Sequence, residues 1–209
     1  MSMIRPMNAD GSELEIEIKL RVESIRESLE RLAKLPAQLE GAPLLEDNEI
    51  YDTGDAMLSR AGNLLRVRTV ADQTLLTFKE KVPTDLEAKV RLEHETTVAQ
   101  PAALRKIFSK LGLSRVYRYQ KYRSYHGWTD PTNGASLKIT VDDTPIGVFV
   151  ELEGPKDSID RAARKMGYTT SDYILEDYRS LHRAWLKENG KPDGDMVFSD
   201  AMRDERRGE

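Results

Sequence analysis

Seven segments of the chain alternate apolar with charged residues, which is the period of a β-strand that has two different faces. In the first of them, residues 14–20, leucines and isoleucines alternate with Glu15, Glu17 and Lys19. The same alternation recurs in the stretches 64–69, 75–81, 89–96, from about Arg118 through Arg123, 137–142 and 148–153. With one more strand near 49–53, the pattern predicts about eight strands.

Four helices are predicted between or after these strands. A capping box at Ser24-Ile25-Arg26-Glu27 opens a helix that runs to about Leu35. Pro101 to Leu111 has proline in its first turn and glycine just past its end, and two further helices are expected at 158–166 and 171–187. In the last of them, an apolar stripe that includes Tyr178 and Trp185 predicts packing against the sheet.

The two ends of the chain are polar and lack periodicity, so they are predicted to lie outside the fold. We expect a disordered N-terminus at 1–12, one folded domain at 13–188 and a flexible C-terminal tail at 189–209.

The density of charge on one face of the strands favours a closed barrel. A sheet with one solvated face would also alternate, but its polar face is usually a mixture of neutral and charged residues. Here charged residues follow each other on the same face, and cross-strand neighbours lie only about 5 Å apart. Opposite charges, metal ions or an anionic ligand must compensate the repulsion. The sequence therefore predicts a β-dominated α+β fold, a closed eight-stranded antiparallel β-barrel with flanking helices.

The side chains expected inside the barrel define its chemistry. Arginine and lysine suit a ligand with several phosphoryl groups, and clustered carboxylates suit Mg²⁺ or Mn²⁺. The predicted substrate-binding residues are Lys19, Arg66, Arg68, Lys79, Lys81, Arg91, Lys121 and Arg123. The predicted metal ligands are Glu15, Glu17, Glu93, Glu95, Asp142, Glu151 and Glu153. We expect Glu15, Glu17, Lys19 and Lys79 to form the catalytic set, with a metal ion or a carboxylate activating the nucleophile.

The composition of the chain limits the classes of partner that we expect. The formal net charge is −4, with 32 basic and 36 acidic residues, so neither nucleic acid nor a membrane is expected as a partner. The chain has no cysteine and no apolar run long enough to span a membrane, which predicts a cytoplasmic protein. Its three histidines share no ligand spacing, and packing or surface roles are expected for them. A homodimer is plausible from base rates alone.

The order of these motifs resembles the CYTH superfamily, also called triphosphate tunnel metalloenzymes. Glu15-Ile16-Glu17-Ile18-Lys19 reproduces its ExExK signature, which is weak alone and specific as part of a series. The series continues with the 48–53 stretch, the Arg66 and Arg68 pair, Lys79, Arg91 to Glu95, Lys121-Tyr122-Arg123, Asp142 and the Glu151 and Glu153 pair. The resemblance covers roughly residues 13–182.

The resemblance implies that the residues inside the barrel have two different roles. By it, Glu15, Glu17, Asp142, Glu151 and Glu153 look like metal ligands or their supports, and Lys19, Arg66, Arg68, Lys79, Lys121 and Arg123 like the triphosphate clamp. Arg91, Glu93 and Glu95 match a strand that joins both functions. Asp143 is a second candidate for the position of Asp142, and Lys81 has no assured counterpart.

Three functions remain open. The first is hydrolysis of inorganic triphosphate, a nucleoside triphosphate or thiamine triphosphate. The second is a class IV adenylyl cyclase that converts ATP to cyclic AMP and pyrophosphate, because the Thr144–Gly147 turn and the strand around Lys121 look like such bacterial proteins. The third is a non-catalytic module that binds polyphosphate or nucleotide. No residue set specifies adenine recognition.

Overall fold

The computed structural model describes residues 13–202 of the chain, so the segments 1–12 and 203–209 lie outside the described residues. The strands are β1 (Glu13–Val22), β2 (Gln38–Leu39), β3 (Leu44–Thr53), β4 (Leu64–Val70), β5 (Gln73–Lys81), β6 (Lys89–Thr97), β7 (Leu113–Thr129), β8 (Ser136–Thr144) and β9 (Gly147–Glu153). The helices are α1 (Ile25–Leu32), α2 (Met57–Arg60), α3 (Pro101–Lys110), α4 (Lys156–Met166), a 3₁₀ turn (Thr170–Asp172) and α5 (Tyr178–Glu188).

Eight of the strands close into an antiparallel barrel, as predicted. Their order is β7-β3-β4-β5-β6-β1-β9-β8, and β8 pairs again with β7 to complete the ring. The 17-residue β7 closes the ring because its first part, 113–123, pairs with β3 and its second part, 122–129, pairs with β8. The short β2 adds to β7 beside β3.

The strand register places opposite charges directly across from each other on the inner face. Lys79 pairs with Glu93, and Lys19 pairs with Glu151. Because side chains alternate between the two faces of a strand, these pairs share the barrel interior with every second residue of their strands. The predicted separation of an apolar outer face from a charged inner face is therefore present.

The apolar outer face is covered by helices. Leu20, Ile139 and Val150 on the barrel pack with Ile159 and Met166 of α4, all almost fully buried. A second cluster lies on the inner face of the barrel, where Ile50, Tyr117 and Phe149 pack with Tyr178, Leu181 and Trp185 of α5. The apolar stripe predicted for the last helix thus lies against the barrel. Burial of these side chains is the main force that holds helices and barrel together.

Helix boundaries differ from the prediction at two places. In the capping box, the Ser24 hydroxyl accepts from the Glu27 amide as expected, but the Glu27 carboxylate accepts from Glu23 and not from Ser24. The single helix predicted for 171–187 is interrupted, because Ile174 exchanges two backbone hydrogen bonds with Lys19 of β1. The helix α5 begins only at Tyr178, after Asp177 has capped it by accepting from the Ser180 amide.

The predicted C-terminal tail is partly folded. Met196 exchanges backbone hydrogen bonds with Arg118 and Gln120 of β7, and Met196 and Phe198 are buried. The prediction that the tail starts at 189 is therefore wrong for the described residues through 202. The sequence did not signal this docking because the segment has only two large apolar anchors among polar residues.

Candidate functional site

The barrel encloses one large cavity of about 670 Å³ with charged walls. Side chains from β1, β3 to β9 and the first turn of α5 contribute to its lining. The basic lining residues are Lys19, Arg66, Arg68, Lys79, Lys89, Arg91, Lys121, Arg123, Lys138 and Arg179. The acidic lining residues are Glu15, Glu17, Asp52, Glu93, Glu95, Glu151, Glu153 and Asp177. A cavity of this size and charge suits a small polyanion together with cations.

One part of the wall is a group of carboxylates around a single lysine. The Lys79 ammonium donates to Glu15 at 2.6 Å and lies 3.1 Å from Glu93. Burial raises the pKa of the Glu15 carboxyl, and the nearby charges of Glu17, Glu153 and Glu93 raise it further against the opposing effect of Lys79. One lysine therefore does not balance the negative charge of this group.

The neighbouring carboxylates each have a cationic partner. Glu17 accepts from the Lys89 ammonium at 2.8 Å, and Glu153 lies 2.9 Å from the Lys138 ammonium. Burial by itself would raise the pKa of Glu17, but Lys89 and Lys19 outweigh it and hold that pKa well below its ordinary range. Glu17 is thus ionised in this part of the cavity wall.

Another part of the wall is a buried network centred on Asp142. Its carboxylate accepts from the Lys121 ammonium at 2.8 Å, from the Arg123 Nε at 2.6 Å and from the Tyr178 hydroxyl at 2.6 Å. Arg123 also donates to Glu151, which pairs with the Lys19 ammonium at 3.0 Å. Lysines and arginines in this network are held in place before any ligand binds.

Two arginines of β4 complete the basic wall. Arg66 donates to the Thr77 hydroxyl at 3.2 Å and lies 3.7 Å from Glu93, which links the basic wall to the carboxylates. Arg68 donates to the Asn48 side chain at 3.1 Å and lies 3.3 Å from Glu46. Glu95 accepts from Thr77 at 2.8 Å near the cavity edge.

Two of the sequence-predicted site residues do not line the cavity. Lys81 is exposed at the end of β5, where its methylene groups lie against Gly62. Asp142 is fully buried behind the lining, and its oxygens are occupied by Lys121, Arg123 and Tyr178. Asp143, the alternative candidate, is also buried and absent from the lining. All other predicted site residues converge on the cavity.

Several cavity or network residues were not predicted. Lys89 and Lys138 lie within the predicted strands 89–96 and 137–142, on their charged face, but they were not included among the predicted site residues. Glu46 lies on the same face of β3 as Asn48, but the strand was predicted to begin only at 49. Tyr178 reaches the network from a helix start, and no sequence pattern indicates that contact.

The described residues contain no preformed metal centre, and their histidines do not line the cavity. Among residues 13–202, no group of three or more histidine or acidic side chains is arranged to hold a metal ion. His182 contacts the Tyr117 hydroxyl at 3.0 Å, and His126 contacts Ser124 at 3.2 Å, so these two are packed away from the cavity. Within the same described range, no helix is long and apolar enough to cross a bilayer.

Comparison with known proteins connects the site to a family. The CYTH domain model matches residues 13–178. A Methanocaldococcus jannaschii protein named as a putative adenylate cyclase is 29% identical over 143 residues, which are 67% of this chain and 76% of that protein.

Solved structures match the fold at lower identity. The X-ray structure of a putative adenylate cyclase from Vibrio parahaemolyticus aligns with a TM-score of 0.66 at 17% identity, over 82% of this chain and 98% of that one. The PH1819 protein of Pyrococcus horikoshii aligns with a TM-score of 0.65 at 18% identity, over 82% and 99% of the two chains. These likenesses concern the barrel fold alone.

Proposed function

Because the family model covers most of its length, the chain belongs to the CYTH domain family, and we propose that it is a divalent-metal-dependent enzyme that hydrolyses a triphosphate group inside the barrel. The observation that carries the proposal is that cationic and acidic side chains from eight strands line one cavity inside the barrel. Cations alone would serve a simple anion-binding protein, whereas carboxylates beside them would repel phosphate unless a metal ion lies between.

The carboxylates of the acidic wall have the donor chemistry that a hard divalent cation needs, although they do not form a preassembled metal centre. Glu15, Glu17, Glu93 and Glu153 supply oxygen ligands of the kind that Mg²⁺ and Mn²⁺ prefer. The pKa of Glu15 is raised by burial and by the other three carboxylates, so added positive charge would stabilise this group. When bound, the ion would neutralise charge on phosphate oxygens and polarise the phosphorus atom. Asp142, which is occupied by other partners, supports the clamp in this proposal and does not ligate the metal.

The basic wall would bind and orient the triphosphate. Arg66 and Arg123 present guanidinium groups to the cavity for charge-assisted hydrogen bonds to phosphate oxygens, and Lys121 and Lys19 add point charges. In hydrolysis, the oxygen of a water molecule forms a bond to the terminal phosphorus and the phosphoanhydride bond to the next phosphate breaks. Diphosphate leaves, and the water proton is released to solvent or to a carboxylate of the wall.

A product assay tests this function. Purified protein is incubated with Mg²⁺ or Mn²⁺ and either tripolyphosphate or ATP, and the products are separated by anion-exchange chromatography. We expect orthophosphate from the wild type and its loss in Glu15→Gln. Glu49→Gln, on the outer face of β3, is the matched control and should retain activity. No product from any triphosphate under these conditions would refute the proposal.

Cyclisation of ATP is the second candidate. It is favoured by the name of the Methanocaldococcus jannaschii relative and by an apolar part of the cavity wall, where Ile50, Leu64 and Tyr117 could contact a nucleoside. In that reaction the ribose 3′-oxygen forms a bond to the α-phosphorus, and pyrophosphate leaves with the bond it had to that atom. If ATP gives cyclic AMP and pyrophosphate in the same assay, the protein catalyses cyclisation and not hydrolysis.

A further inference from the structure

A buried carboxylate that does not line the cavity lies among the residues of the basic wall. Glu46 of β3 is 1% exposed and accepts from the Tyr125 hydroxyl at 2.9 Å through its Oε1. Arg68 lies 3.3 Å from the same oxygen, and Lys121 lies 3.7 Å from Oε2. Within the described residues, Oε2 has no hydrogen-bond partner. Charge attraction to the surrounding cations, and not a saturated hydrogen-bond network, therefore holds that oxygen.

The electrostatics keep Glu46 ionised. Burial alone would raise its pKa, but Arg68, Arg123 and Lys121 outweigh burial and hold the pKa of Glu46 well below its ordinary range. Glu46 is thus a permanent anion beside three cations that line the cavity. Any anion that enters the cavity must share these cations with it.

We propose that Glu46 is an internal counter-anion that sets the affinity and the charge selectivity of the cavity for polyphosphates. It balances the basic wall when no anion is bound, and it weakens the attraction of that wall for an incoming anion. The inference rests on the proposed function, because it assumes that a polyphosphate binds to the basic wall. It adds a residue that tunes binding without touching the ligand.

If Glu46 is a counter-anion, its substitution should strengthen polyphosphate binding, whereas substitution of a residue that only supports the structure should not. Glu46→Gln keeps the shape of the side chain and an acceptor for the Tyr125 hydroxyl, but it removes the negative charge. Because Coulomb energy scales with the charge of the ligand, the gain in affinity should be larger for tripolyphosphate than for pyrophosphate. A merely structural Glu46 would leave the affinity unchanged or lower it when substituted.

Isothermal titration calorimetry with EDTA present tests the proposal without catalysis or metal. Tripolyphosphate and pyrophosphate are titrated into the wild type, Glu46→Gln and Glu49→Gln. Because a negative charge beside the basic wall is removed, we expect roughly tenfold tighter binding of tripolyphosphate by Glu46→Gln, and a smaller gain for pyrophosphate. Glu49 pairs with Arg105 at 2.8 Å on the outside of the barrel, so its variant should bind like the wild type.

The outcomes separate this inference from the proposed function. If the wild type binds tripolyphosphate neither with EDTA nor with Mn²⁺ present, the proposed function fails as well. If the wild type binds and Glu46→Gln binds equally or more weakly, only the counter-anion role is overturned.

A second variant tests the proposal if Glu46→Gln does not fold. Glu46→Asp keeps the charge and withdraws it from Arg68 by one methylene, so it should fold and bind tripolyphosphate a few-fold tighter. Weaker binding by this variant would overturn the proposal even where Glu46→Gln cannot be purified.

Discussion

Replacing Lys79 by methionine should destabilise the protein in a way that a divalent metal reverses. The Lys79 ammonium lies 2.6 Å from Glu15 and 3.1 Å from Glu93, and its side chain is 11% exposed. Methionine fills similar space but removes the cation that the two carboxylates share. They would then repel each other in a largely buried site.

The size of the effect follows from the burial of these groups. Breaking a buried ion pair by removing one partner typically costs about 3–5 kcal/mol, and the lower end applies to Lys79 because water can enter the cavity. For a chain of this length, each kcal/mol lowers the Tm by about 2–4 °C, so we expect a decrease of roughly 6–12 °C for Lys79→Met.

Thermal unfolding followed by circular dichroism, first with EDTA and then with Mn²⁺, measures both parts of the prediction. If the carboxylates bind metal, Mn²⁺ should raise the Tm of Lys79→Met more than that of the wild type. Saturating metal at about 100 times its Kd would return about 2.7 kcal/mol. Lys110→Met, at an exposed site of α3, should behave like the wild type in both conditions. An unchanged Tm in EDTA, or no response to metal, would refute the reasoning.

Three further outcomes follow from the same contacts. Arg66→Ala should lower kcat/KM by tenfold or more, estimated from the loss of a charge-assisted phosphate contact, and steady-state kinetics with Arg118→Ala as an outer-face control would check this. Since the pKa of Glu15 is raised by burial and neighbouring carboxylates, Mn²⁺ affinity should fall as the pH is lowered through that raised pKa. Calorimetry at several pH values should show a flatter dependence for Glu15→Gln. Tyr178→Phe removes the 2.6 Å hydrogen bond to Asp142 but keeps the ring, so KM should rise a few-fold with little loss of Tm, and an unchanged KM would contradict that role.

The inner face of the barrel was predictable because a strand sends alternate side chains to opposite faces. Once Glu15 and Lys19 are assigned to the interior, their neighbours Ile16 and Ile18 must face outward, and the structure agrees. Most of the predicted site residues were found in this way. The closing of the barrel was predictable from charge density, and the family resemblance from the order of the motifs.

The features that the sequence could not predict depend on contacts between segments that are distant in sequence. Parity assigned Asp142 to the inner face correctly, but it could not show that Lys121, Arg123 and Tyr178 would occupy its oxygens. The interruption before α5 arises from a backbone pairing of Ile174 with β1, which leaves no trace in local periodicity.

Strand ends were the other source of error. Glu46 was missed because β3 begins at Leu44, earlier than its apolar run indicates. Lys81 was included because alternation cannot tell where a strand leaves the barrel.

In the proposed enzyme, one cavity inside the barrel binds the triphosphate on its basic wall and the metal on its acidic wall. A crystal structure with tripolyphosphate and Mn²⁺, read with the anomalous signal of manganese, tests it directly. We expect phosphate oxygens within hydrogen-bonding distance of Arg66 and Lys121, and manganese bound to oxygens of Glu15 and Glu17. Manganese and phosphate found only on the outer surface of the barrel would contradict it.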